Sequence, residues 1–210
     1  MGHLFELHDV HVADGDQQIL RGVDLQVNER GITVVQGPSG SGKSTLLRLL
    51  NRLEVASSGS ITFRGDDLMD LDPIELRRRV GMVFQRPTPF PGTVSDNLLA
   101  ADPLLDDVGI AALMDRVGLP VDLVERDAMV LSGGEAQRMC MARTLATGCE
   151  VLLADECTSS LDAAATSAIE ATARALAADG DTVVWVTHDE GQADRLADHR
   201  VRVEEGRVVD

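Results

Sequence analysis

The sequence predicts an α/β protein: a mainly parallel sheet covered by helices, an antiparallel β flank at the N-terminal side, and a helical lobe inserted between core strands. Three observations carry this. Short β-branched and aliphatic runs at 32–35, 80–84, 151–154 and 183–186 read as strands buried on both faces, and helical patterns alternate with them, as in parallel sheets. The first thirty residues differ, with extended patterns at 4–10 and 23–27 around a turn-rich stretch at 13–18 and a related piece at 60–63, which points to antiparallel pairing. Between residues 85 and 131 the strand signal disappears, and segments rich in Leu, Ala and Asp replace it around 96–101 and 110–117.

Helices are expected at 46–50, at 139–146 and over the Ala-rich 163–178, with a last strand at 200–203. At about 150 residues per domain, 210 residues predict a single domain, 1–210, in which 1–84 and 151–210 form the core and flank and about 85–150 the lobe. Nineteen Lys and Arg against 35 Asp and Glu leave a net charge of −16, which repels phosphate backbones and argues against nucleic acid as a partner. Four Phe, one Trp and no Tyr provide no stacking platform for bases. The N-terminal residues lack a basic patch followed by an apolar run, and no stretch approaches the roughly 18 apolar residues of a membrane span, so a cytosolic chain that crosses no membrane by itself is expected. Cys140, Cys149 and Cys157 have no metal-type spacing and read as reduced thiols used as small apolar residues.

Function concentrates in three strings. After the run at 32–35 come Gly37, Pro38, Ser39, Gly40, Ser41, Gly42, Lys43, Ser44 and Thr45, then the apolar helical stretch. This is GxxxxGK[ST] with a strand before and a helix after, the context in which glycine-freed backbone N–H groups and a helix N-terminus converge on phosphates. Lys43 is expected to reach the β and γ phosphates of ATP, Ser44 to ligate Mg²⁺, and Thr45 to help hold the α phosphate. The run at 151–154 ends in Asp155 and Glu156, two carboxylates where a sheet edge would meet Mg²⁺–nucleotide. Asp155 is the expected metal holder and Glu156 the general base that polarises water, although paired acids at a strand end also cap helices. Leu131, Ser132, Gly133, Gly134 and Glu135 precede a helix and read either as a turn with an N-cap or as a second anion cradle. One nucleotide has no use for two cradles in one chain, so a second cradle implies a partner's nucleotide.

Together and in this order, these strings resemble the ATP-binding subunit of ABC transporters over essentially the whole chain: Walker A at 37–45, the LSGGE signature at 131–135, and Walker B at 151–156. The resemblance implies a P-loop NTPase core with the signature on the inserted lobe. It also implies roles for Gln85 as the Q-loop glutamine on Mg²⁺ and the attacking water, for Asp162 in the dimer-facing D-loop, and for His188 as the switch histidine. From the residues alone, Asp162 is equally the N-cap of the Ala-rich helix, and His188 closes a core strand at the edge where ligands gather. The implied assembly is an ATP-dependent head-to-tail dimer of two copies, coupled to an integral membrane permease at the cytoplasmic face of the membrane. Each site would take Ser132, Gly133 and Gly134 from the other copy.

Two positions depart from the family pattern. Asp14 stands where an adenine-stacking aromatic is usual, with His11 the one ring nearby, and Cys157 stands in place of a Pro after Glu156. Within Pro87 to Val94, Phe90 is either a knob presented to the permease or part of its own lobe. The resemblance is to compact cassettes of the phosphate-import and iron-export types, the alternative being a soluble ATPase of an assembly machine such as iron–sulfur cluster biogenesis.

Overall fold

The strand-forming runs assemble into two sheets in the structure, a computed structural model that describes residues 2–209. The first contains β1 (His3–Asp14), β2 (Gln17–Asn28), β4 (Ser58–Phe63) and β5 (Asp66–Asp67) in the order β2-β1-β4-β5, all antiparallel. The second contains β3 (Gly31–Gln36), β6 (Val80–Val83), β7 (Val151–Asp155), β8 (Thr182–Val186), β9 (His199–Glu204) and β10 (Arg207–Val209) in the order β10-β9-β3-β8-β7-β6. Its strands are parallel except β10, which turns back on β9.

The parallel strands read as unbroken apolar runs because alternate residues feed two different cores. Val35, Val151, Leu153, Val184 and Val186 face the antiparallel sheet and helix α1 (Lys43–Leu50), with α2 (Pro73–Arg79) contributing Leu76. Ile32, Val34, Leu152, Ala154, Val183 and Trp185 point the other way. There they meet α5 (Gly133–Ala146), α6 (Ala163–Asp179) and α7 (Glu190–Leu196), and α3 (Val94–Leu99) and α4 (Asp107–Arg116) pack onto the same cluster. Helices α3 to α5 lie between β6 and β7 in the chain, as the loss of strand signal predicts.

Several expectations are corrected in extent. β1 and β2 run to within two residues of each other, because irregular register around Val10, with Asp9 at φ 48°, breaks the alternation that would have revealed them. The strand expected at 80–84 stops at Val83, since the Phe84 carbonyl accepts from Gln137 Nε2 (2.8 Å) instead of continuing the ladder. α5 begins six residues earlier than its apolar pattern, at the glycines themselves. α2 and α7 are seven residues each, too short to display an apolar period, and the sequence pattern does not reveal them.

Candidate active site

Register builds the site. Val35 of β3 and Asp155 of β7 both pair with Val186 of β8, and Val83 of β6 pairs with Ala154, so four strands end together. The segments that follow them, beginning at Gly37, Phe84, Glu156 and Thr187, therefore emerge along one sheet edge, where open α/β sheets collect ligands.

The loop after β3 is shaped by glycine. A Cβ on Gly37 (φ 150°) would lie 2.0 Å from the Val203 carbonyl oxygen, so no side chain fits where the loop crosses β9. Gly42 caps α1 in a left-handed conformation and supplies no side-chain bond, so the first N–H groups of α1 stay open toward the cavity. Lys43 is only 4% exposed, and its Nζ donates to the carbonyls of Gly37 (2.9 Å) and Pro38 (2.7 Å). Burial pulls its pKa down while Glu156 and Asp155 push it up, with burial prevailing. Ser41 Oγ is buried beneath the loop without a protein partner.

Across the cavity, Ser44 Oγ donates to Asp155 Oδ1 (2.7 Å). Burial raises the Asp155 pKa, and the Ser44 bond works against that shift. Glu156 adopts a left-handed backbone (φ 43°), an unfavourable conformation for a side-chain-bearing residue, fixed by its N–H on the Val186 carbonyl (3.2 Å). Its carboxylate lies between Lys43 Nζ (4.0 Å from Oε1) and His188 Nδ1 (3.3 Å from Oε2). Gln85 Nε2 donates to Ser159 Oγ (3.2 Å). Ser39, Gly40, Gly42, Lys43, Ser44, Thr45, Gln85 and Glu156 enclose about 370 Å³, within the range of small-molecule pockets.

Gln17 and Ile19 complete that wall, and neither was a sequence candidate. The available signal was local: they are an i, i+2 pair on β2 beside Leu20, whose side chain packs under Gly42. His11, the one ring near Asp14 in the sequence, has its Nε2 3.0 Å from Asp9 Oδ1, and Asp14 does not line the cavity.

Ser132, Gly133, Gly134 and Glu135 lie outside the cavity. Ser132 caps α5 in a reciprocal box: Ser132 N–H donates to Glu135 Oε2 (2.8 Å) and Glu135 N–H to Ser132 Oγ (3.3 Å). A Cβ on Gly134 would meet Ala165 Cβ at 2.8 Å, so the second glycine lets α5 approach α6. Asp162 caps α6 by accepting from Ala165 N–H (2.8 Å). Cys157 is buried and its thiol is pushed up to about 12 by burial, the behaviour of an apolar filler. Phe90 is only partly packed on its own lobe: Arg143 lies 4.0 Å from its ring centroid and Asn97 bonds its backbone, and the residue is 49% exposed beside a hollow of about 260 Å³.

Among the described residues no cluster of three His, Cys, Asp or Glu side chains forms a metal site. A metal held mainly by phosphates needs no such cluster, and the Ser44 hydroxyl beside the Asp155 carboxylate is a pair of hard oxygen donors that fits Mg²⁺. Nor is any helix among the described residues long and apolar enough to cross a membrane.

The profile of the ABC transporter family matches residues 20–159. Protein STAR1 of Oryza sativa subsp. japonica is 46% identical over 200 residues, covering 92% of this chain and 58% of that protein's length. A phosphate import ATP-binding protein, PstB, of Salinibacter ruber is 40% identical over 222 residues, covering 97% of this chain and 88% of its own. Among solved structures, cbiO1 of Clostridium perfringens, part of the ABC transporter complex cbiONQ, superposes with a TM-score of 0.87 at 26% identity, covering 100% of this chain and 88% of that one.

Proposed function

This chain belongs to the ABC transporter family as an ATP-binding ATPase subunit, and from that premise we propose that it drives a membrane permease through an ATP-dependent dimer of two copies. The observation that carries the chemistry is Glu156 held between Lys43 and His188 on the cavity rim.

The reaction is in-line attack of water on the γ phosphorus of ATP. Glu156 takes a proton from the water, the new P–O bond forms, and the bond to the ADP oxygen breaks. Lys43 exchanges its two carbonyl partners for β and γ phosphate oxygens, where its charge offsets the developing negative charge. His188, its Nδ1 3.3 Å from Glu156 Oε2, stands beside the base and helps to place it against the γ phosphate, and Gln85 orients the water. Ser44, Gln85 and Asp155 would hold Mg²⁺, which would supply charge neutralisation at the phosphates.

The partner half of each site is Ser132, Gly133, Gly134 and Glu135 of the second copy, with Asp162 at the dimer contact. Support comes from the solvent-exposed position of Ser132 and Gly133 outside their own chain's cavity. The proposed division is one ATPase domain, 1–210, whose lobe at 85–150 meets the permease, which places the protein peripherally at the cytoplasmic face of the membrane. The proposed cargo is a small inorganic ion, and phosphate is the one named for relatives such as PstB.

Light scattering on Glu156→Gln tests this. With Mg²⁺–ATP the mass should rise from 22.5 kDa to about twice that, with hydrolysis abolished. Normal turnover by the variant overturns the general base, and a monomer under saturating bound ATP overturns the nucleotide-dependent dimer.

A further inference from the structure

Behind the cavity, α7 begins two residues after His188, and its third residue, Gln192, turns inward. Gln192 is 4% exposed, and its amide is fully used: Oε1 accepts from Trp185 Nε1–H (3.1 Å), and Nε2 donates to Thr158 Oγ1 (3.0 Å) and Glu170 Oε1 (2.9 Å). Only one orientation works. Flipping the amide would set N–H against the indole N–H and oxygen against the Glu170 carboxylate. Glu170 is itself fixed as an acceptor by two bonds from Arg195, Nε to Oε2 (3.1 Å) and Nη2 to Oε1 (2.8 Å).

The partners of this amide lie on both catalytic corners. Thr158 is two residues past Glu156, and its neighbour Ser159 accepts from Gln85. Trp185 is three residues before His188, on the strand that leads to it. Glu156 N–H on the Val186 carbonyl (3.2 Å) links the two corners through the backbone, and behind it the Gln192 amide is the side-chain tie between them.

We propose that Gln192 is a positioning residue for ATP hydrolysis: its buried amide ties the Glu156 corner to the His188 corner and sets the spacing between them. The inference rests on the ATPase reading above. A bond network of this kind acts on the transition-state geometry and leaves the phosphate cradle of Lys43 and Ser44 alone, so its loss appears in kcat and spares the KM for ATP.

The experiment compares wild type, Gln192→Met, Gln192→Glu and the exchange Gln192→Glu/Glu170→Gln in steady-state hydrolysis below their melting onsets. The exchange keeps four of the five bonds. The carboxylate moved to position 192 accepts from the indole, the Thr158 hydroxyl and the amide moved to position 170, whose oxygen still accepts from Arg195 Nε, while the Arg195 Nη2 bond is lost. Gln192→Met is expected to lower kcat about tenfold or more with KM within about twofold, and the exchange to recover most of the loss seen in Gln192→Glu. Trp185 is the one tryptophan of the sequence, so its emission should shift in Gln192→Met and return in the exchange. A kcat within about twofold of wild type in Gln192→Met, or an exchange no better than Gln192→Glu, overturns the positioning role. Glu156→Gln in the same assay separates the two claims: turnover there refutes the ATPase assignment of Glu156, whereas wild-type kcat in Gln192→Met beside an inactive Glu156→Gln refutes the role of Gln192 alone.

Discussion

Glu156 carries the strain of the site at the residue scale. Its left-handed backbone turns the chain sharply after β7, so that Asp155 stays buried against Ser44 while the next carboxylate swings up to the cavity rim. Two adjacent acids thereby acquire different surroundings, one desolvated beside a hydroxyl and one between a lysine and a histidine, which suits separate duties in metal holding and proton abstraction. The same burial silences the thiol that follows. Cys157 and Cys140 are buried with their thiols pushed up, and Cys149 is half-buried and also raised. In a thiol titration of the native protein at pH 8, at most Cys149 should react promptly, and all three thiols should react in denaturant. Rapid reaction of two or more in the native state would contradict the burial.

At the scale of the element, helix caps do double service. The family resemblance assigns Ser132 and Asp162 to a dimer, and each also closes the N-terminus of a long helix. Asp162→Ala should cost about 1 kcal/mol in chemical denaturation, and Asp162→Asn much less, because the amide oxygen still accepts from Ala165 N–H. Equal losses for the two variants would mean that the carboxylate charge, and not the cap, stabilises α6. The short helices were illegible for a reason particular to each. α2 buries a single residue, Leu76, and α7 spends one of its three buried positions on Gln192. A polar residue at a core position, kept there by Trp185, Thr158 and Glu170, cannot be told from a surface residue before its partners are known.

On the scale of the whole molecule, the two sheets are joined on one side by charge. Glu150, just before β7, accepts from Arg79 at the end of α2 and from Arg64 in the β4–β5 turn, and Arg64 also pairs with Glu29 between β2 and β3. Burial pushes the Glu150 pKa up, and the Arg64 and Arg79 bonds outweigh it, leaving a net lowering. A lowered carboxylate contributes stability that is fully present above its unfolded value of about 4.3 and is lost as pH falls through the native one. Melting temperature should therefore drop more steeply with acid in wild type than in Glu150→Gln; parallel curves would show that the joint is energetically idle. The exposed half of Phe90 belongs to this scale too. Phe90→Asp should abolish binding to a permease while ATP affinity stays within about twofold of wild type, and unfolding instead would mean that the ring serves its own lobe. By itself the sequence predicted the α/β plan with its antiparallel flank and the phosphate loop, because strand burial and phosphate chemistry each demand particular residues at fixed local spacing, whereas the roles expected of the signature and of His188 came from the family resemblance. The tertiary structure alone decided which of these meet. Strand register brings residues 37–45, 85, 155–156 and 188 to one edge, keeps Ser132 to Glu135 away from it, adds Gln17 and Ile19, and gives Gln192 its partners. Contacts among residues far apart in the chain arise from how strands pair and helices pack, which local spacing does not encode.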